Sequence, residues 1–131
     1  MQIAQNGEWR MVMGDFKLAD TEKRFVELVW QNEPLPSGTL VALCEKELSW
    51  KKSTTYTVLR RLCHKGILQN EDSMVSSLIK KPEYMARCSE ELVEDTFEGS
   101  LPQFVAAFMS RKKLSKKQIE EIQSIIDGYK E

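Results

Sequence analysis

Histidine is almost missing from this chain of 131 residues, with His64 its one copy. Its neighbour Cys63 would point about 100° away from it on a helix, so the two are poorly placed to share a metal. Cysteine is scarce as well. Cys44, Cys63 and Cys88 are odd in number, widely spaced and without a C-x-x-C pair, which argues against a disulfide framework. Each falls among apolar neighbours on an expected helix, where a small buried residue is its ordinary role, and the expected compartment is the cytoplasm. The six glycines form no phosphate-cradling loop. No apolar run approaches the roughly 18 residues needed to span a bilayer. Residues 1–14 contain Arg10 but no apolar core of a signal peptide. Catalysis would need a convergent nucleophile, base and polar pocket, and nothing here supplies them. No catalytic residue, metal ligand or cofactor is therefore expected, and no membrane partner.

What is present suits a soluble, mainly helical domain or two very small ones. Hydrophobic residues make up 41%, enough for a core, and charged residues 30%, enough to cover it. Formal net charge is −1, so any sign of a nucleic-acid partner must come from the local distribution of charge. That distribution is uneven. From Trp50 to Gly66 there are five Lys or Arg and no Asp or Glu. Thr55, Val58, Leu59 and Leu62 recur at i, i+3, i+4 and i+7, the spacing of one buried helix stripe. Ser53, Tyr56, Thr57, Arg60 and His64 lie opposite, Lys51 and Lys52 sit at or before the first turn, and Gly66 is placed to end the helix. An apolar back with a front of hydroxyls, a phenol and arginines suits the major groove of DNA. Arg pairs bidentately with guanine there, and Ser, Thr and Tyr reach base edges or phosphates. A solvated basic face on an ordinary amphipathic helix would look the same, and the flanking elements decide between the two.

Residues 1–14 carry no period and are expected as a flexible tail, followed by a short strand near Phe16-Lys17-Leu18. A helix is expected over residues 20–31, with Asp20 as its cap and Phe25, Leu28 and Val29 facing inward. Pro34 and Pro36 break the pattern. A second helix over residues 37–48 starts at Ser37 as cap and buries Leu40, Leu43, Cys44 and Leu48. A two-residue link leads to the basic helix, which completes a helix-turn-helix. Ile67-Leu68-Gln69 and Met74 through Ile79 then read as strands around the turn Asn70-Glu71-Asp72-Ser73. A hairpin in that place is a wing, and its tip carries Glu71 and Asp72 rather than bases. Lys80 and Lys81, just beyond, are better suited to phosphate.

Three more helices are expected. The first spans residues 82–98, with Met85, Cys88, Leu92 and Phe97 inward and an acidic outer face from Glu90 to Glu98. The next two open with capping boxes, Ser100 with Gln103 and Ser115 with Gln118. Their apolar stripes include Leu101, Phe104, Val105 and Phe108 on one, and Ile119, Ile122 and Ile126 on the other. A segment of about 50 residues buries too little surface to stand easily alone. The stripes would pack on the first half of the chain or on a second copy. Pairing also serves the basic helix, since two-fold symmetry sets two reading helices about 34–36 Å apart or at a multiple of that. The expected organisation is a tail over residues 1–14, a winged-helix domain over 15–81 and a three-helix dimerisation domain over 82–131.

These residues carry a resemblance. The pattern Trp-x-x-x-Thr-x-x-Thr-x-x-x-Arg-Leu-x-x-Lys-Gly, met by Trp50, Thr54, Thr57, Arg61, Leu62, Lys65 and Gly66, resembles the penicillinase repressor family of BlaI/MecI/CopY type. Phe97-Glu98-Gly99-Ser100-Leu101 and Leu114-Ser115 are similar to its C-terminal domain. The resemblance implies a winged-helix repressor that binds a palindromic DNA operator as a homodimer. Carried over, Ser53, Thr54, Tyr56 and Thr57 meet bases or phosphates, and Lys51, Lys52 and Arg60 the backbone. Arg61, near the edge of the inner face, serves packing as well as DNA. Leu92, Phe97, Leu101, Phe104, Val105, Phe108, Ile119, Ile122 and Ile126 form the dimer contact. A sensor or protease that relieves repression is the further implied partner.

The chain departs from the family pattern in three places. It has no cysteine after Cys88, where copper-responsive members carry Cys-x-Cys motifs. It has Glu91-Leu92 where β-lactam-responsive members are cleaved at Asn-Phe. Its wing lacks the usual basic and aromatic residues. The alternative function consistent with the acidic wing is a winged-helix protein–protein adaptor that binds no DNA.

Overall fold

A computed structural model describes residues 18–129. The expected tail lies outside this range, as do Phe16 and Lys17 of the expected first strand; Leu18 is buried but belongs to no strand. Helix α1 (Asp20–Asn32) starts one residue earlier than a cap at Asp20 requires. Ala19 is the N-cap and has no side-chain acceptor, so Glu22 reaches back and accepts the Ala19 N–H at 3.1 Å. Asp20 instead sits in the first turn, where a carboxylate suits the helix dipole. Phe25, Val26 and Val29 face the core, with Leu28 half-buried beside them. A two-residue strand, β1 (Leu35–Pro36), follows and is too short to show a period in the sequence.

Helix α2 (Ser37–Leu48) has Pro36 at its N-cap, which makes Ser37 its first residue rather than its cap. The polar groups of Ser37 are engaged elsewhere. Leu40 and Cys44 are buried, while Leu43 and Leu48 are half-buried against the core. Ser49 turns the chain in the left-handed region at φ 58°, and Trp50 stacks on Phe25 with ring centroids 5.5 Å apart. Helix α3 (Lys52–His64) then buries Thr55, Val58, Leu59 and Leu62, the stripe expected from its period. Its end is a Schellman turn. Gly66, at φ 83°, donates to the Cys63 carbonyl, and Ile67 donates to that of Leu62.

The wing strands are β2 (Leu68–Glu71) and β3 (Met74–Ser77). β2 runs further toward the tip than expected, because the turn needs only Asp72 and Ser73, while β3 starts at Met74 as expected and stops at Ser77, short of Ile79. Both turn residues have positive φ, 51° and 65°, as a two-residue hairpin of the right twist demands. The hairpin is joined by β1 into a three-stranded antiparallel sheet of order β1-β3-β2, with Leu35 opposite Val75. Helices and sheet enclose one core, from Leu18 and Phe25 to Val75, Ile79 and Tyr84.

Helix α4 (Lys81–Phe97) corrects the expected phase. Tyr84 is its buried residue, whereas Met85, Cys88 and Leu92 are exposed. The reason lies far away in the chain. Trp30 donates its indole N–H to the Ile79 carbonyl at 3.0 Å and faces Tyr84 across 5.6 Å, and this contact fixes the rotation of the helix. Burial, the Cys88 side chain and nearby Glu91 push the Tyr84 phenol up to about 12. Lys80 and Lys81 are not free for phosphate. Lys80 meets the Glu33 carboxylate at 3.1 Å, and Lys81 meets that of Glu27 at 3.0 Å.

The chain divides into two compact units between Glu91 and Leu92, inside α4. In the second unit Glu98 and Gly99 reverse the chain with φ of 51° and 83°. Helix α5 (Leu101–Arg111) follows, with the Ser100 hydroxyl accepting the Gln103 N–H; only that half of the expected capping box forms. Helix α6 (Lys116–Asp127) has both halves, between Ser115 and Gln118. Phe97 and Phe104 meet edge to face at 5.5 Å. Among the described residues neither α5 nor α6 contains a buried one. Leu92, Leu101, Val105, Phe108, Ile119, Ile122 and Ile126 are all exposed, and Phe97 and Phe104 are half-buried.

Candidate nucleic-acid interface

The apolar side of α3 is consumed by the core, so its other side defines the candidate surface. Lys51, Lys52, Ser53, Thr54, Thr57, Arg60 and His64 are exposed along it. Lys51, Lys52 and Arg60 make no ion pair within the described residues, and no carboxylate interrupts the run from Trp50 to Gly66. The Lys51 N-cap provides no side-chain acceptor for the first turn of α3. The first amides of that helix thus carry their partial positive charge beside two lysines, a setting that favours an anion.

Tyr56 and Arg61 differ from the other predicted residues. Tyr56 is half-buried, its ring packed against the core, and its hydroxyl lies 3.1 Å from that of Ser37 in a hydrogen bond. Arg61 donates its Nε–H to Glu22 at 2.9 Å. That carboxylate is nearly enclosed, with a side chain 9% exposed against 48% for Arg61. Burial alone would raise the Glu22 pKa. The Ala19 amide, the Arg61 guanidinium and nearby Lys65 overturn that and hold it below its ordinary value. A buried carboxylate on α1 thereby fixes α3 in place, and the Nη groups of Arg61 remain for another partner. Nothing in the sequence around Glu22 points to this role. The spacing of 39 residues to Arg61 leaves no local signal for it.

A second carboxylate secures the wing. Glu33 accepts the Ser77 backbone N–H at 2.6 Å, the Ser77 hydroxyl at 2.9 Å and Lys80 at 3.1 Å. Burial opposes its charge, but these donors hold it below the ordinary glutamate value. The wing tip itself offers exposed Glu71 and Asp72.

Burial dominates the two thiols nearest α3. It raises the pKa of Cys44, whose thiol touches the Thr55 hydroxyl, and that of Cys63. Thr55 Oγ1 is buried without a hydrogen-bond partner of good geometry. No group of three His, Cys, Asp or Glu among the described residues is arranged to hold a metal. No helix among them is long and apolar enough to cross a membrane.

This arrangement of winged helix and helical extension agrees with the comparison to known families. The profile described as penicillinase repressor matches residues 18–128. The chain belongs to the penicillinase repressor family. This repressor-family chain is 20% identical over 116 residues to the methicillin resistance regulatory protein MecI of Staphylococcus aureus, a match covering 86% of this chain and 94% of that protein. It is 22% identical over 118 residues to the penicillinase repressor of Bacillus licheniformis, covering 87% and 92%. An uncharacterized 16.5 kDa protein of Latilactobacillus sakei is 24% identical over 114 residues, covering 84% and 78%. Membership places the chain among transcriptional repressors that bind DNA.

Proposed function

We propose that the chain is a sequence-specific repressor that binds a palindromic operator as a homodimer, with α3 of each copy in the major groove. The observation that carries this reading is the outward side of α3, cationic, hydroxyl-rich and free of carboxylates, on a helix whose other side is locked into the core. Ser53, Thr54, Tyr56 and Thr57 meet bases or phosphates. Lys51, Lys52 and Arg60 meet the backbone, and Arg61 adds its Nη groups while Glu22 holds its Nε. Residues 15–81 form the DNA-binding domain and residues 82–131 the dimerisation domain. Support for pairing comes from the second unit, where α5 and α6 bury none of their residues while Leu101, Val105, Phe108, Ile119, Ile122 and Ile126 are exposed. A monomeric soluble protein rarely leaves so much contiguous apolar surface open. A sensor or protease that relieves repression is the remaining partner this reading calls for.

The acidic wing tip favours a second reading, an adaptor that binds protein instead of DNA. Selection of bound sequences from random duplexes separates the two. The repressor reading expects an enriched motif with two-fold symmetry and half-sites about one helical turn apart or a multiple of it. Absence of any enrichment favours the adaptor.

A further inference from the structure

Three segments of the winged helix converge on Ser37. Its backbone N–H donates to the Ser73 carbonyl of the wing turn at 2.8 Å, and its hydroxyl is bonded to that of Tyr56 on α3 at 3.1 Å. Ser37 is only 7% exposed and opens α2. Among the described residues, the polar ends of two members of the candidate surface on α3 are thus held by another helix, Arg61 by Glu22 of α1 and Tyr56 by Ser37 of α2. A free tyrosine hydroxyl turns to suit any donor or acceptor. One with a partner fixed presents its remaining hydrogen or lone pairs in a single direction.

We propose that Ser37 is a positioning residue for sequence reading. It holds the Tyr56 hydroxyl in one orientation and, through Ser73, sets the wing turn at a fixed place beside α3. Ser37 touches no base itself. Its removal frees the phenol, so discrimination between sequences falls while general attraction to DNA, carried by Lys51, Lys52 and Arg60, persists. This rests on the DNA-binding reading of α3 and assigns to a residue of α2 a part in specificity.

The test measures binding of the full chain to its selected duplex and to a scrambled duplex of the same length, for wild type, Ser37→Ala, Tyr56→Phe and the double variant. Ser37→Ala is expected to weaken the selected complex about tenfold, summed over two half-sites, with the scrambled complex unchanged. Tyr56→Phe removes the reading hydroxyl itself and is expected to lose at least as much on the selected duplex, and the double variant to be no worse than Tyr56→Phe alone, because Ser37 acts only through that hydroxyl. Equal losses on both duplexes, additive losses in the double variant, or no loss in Ser37→Ala each overturn the proposal. If Ser37→Ala fails to fold, Tyr56→Phe breaks the same bond from the other side, and unchanged discrimination there overturns it equally. Failure of the wild type to bind either duplex defeats the DNA-binding reading itself, a result distinct from the others.

Discussion

Arg60 and Arg61 are adjacent in sequence but serve different ends, and alanine at each separates the reading surface from the fold. Arg60 is exposed and makes no ion pair within the described residues. Arg60→Ala therefore changes stability by less than about 0.5 kcal/mol. Its effect falls on DNA. A homodimer carries two copies, and each lost phosphate contact removes about 0.9 log unit of affinity per log unit of salt. The salt slope drops by about 1.8, and affinity at 0.15 M salt falls roughly thirtyfold on every duplex. Arg61→Ala removes the partner of a carboxylate only 9% exposed. A hydrogen bond between charged groups contributes about 1.5–3 kcal/mol. With Arg61 half in water the expected loss is nearer about 1 kcal/mol, which lowers the melting temperature of a domain of this size by roughly 4–8 °C. Thermal melts followed by circular dichroism and anisotropy titrations at several salt concentrations measure both quantities. The reasoning is refuted if Arg60→Ala melts several degrees lower with its salt slope intact, or if Arg61→Ala leaves the melting temperature unchanged.

Three other outcomes follow from the same structure. Glu22 and Glu33 titrate lower in the fold than in the unfolded chain, so their contribution to stability is complete above the ordinary value of 4.5 and disappears as pH falls through the lowered folded values. Melting temperature should fall steeply below pH 4.5, and more shallowly in Glu22→Gln and Glu33→Gln; parallel curves contradict this assignment. Burial and raised pKa keep the thiols of Cys44 and Cys63 slow toward alkylation at neutral pH, whereas Cys88 is exposed. Mass spectrometry after brief iodoacetamide treatment should find Cys88 modified first, and equal rates at all three sites are inconsistent with the packing. Phe108→Glu or Ile122→Glu places a charge on an exposed apolar stripe of the second unit. Sedimentation should then show a monomer with weakened operator binding, whereas an unchanged dimer removes these stripes from the interface.

Much of the winged helix was legible because its signals are local. The Thr55-Val58-Leu59-Leu62 period located α3, Gly66 its end, and Asn70-Glu71-Asp72-Ser73 the wing turn. What stayed hidden depends on partners distant in sequence. Strand β1 is two residues long and ends in proline, so it has no period to read; it exists because Leu35 pairs with Val75. Met85 and Cys88 suggest one phase for α4, while the residue it buries is Tyr84, chosen by Trp30. Lys80 and Lys81 looked free because Glu33 and Glu27 lie 47 and 54 residues away. On the candidate surface Ser53, Thr54, Thr57 and Arg60 are exposed as their helix positions suggest. Tyr56 is drawn partly inward by Ser37, a contact no helical period could reveal.

The central claim is that the outward side of α3 binds duplex DNA, two copies to one operator. Titration of the selected duplex with the full chain across a range of salt, with stoichiometry taken from sedimentation of the complex, tests it most directly. The account predicts two chains per duplex and an affinity that falls steeply as salt rises, about 0.9 log unit per log unit of salt for each phosphate contacted. A chain that fails to retain DNA at low salt, or that binds as a single copy with no dependence on salt, contradicts it.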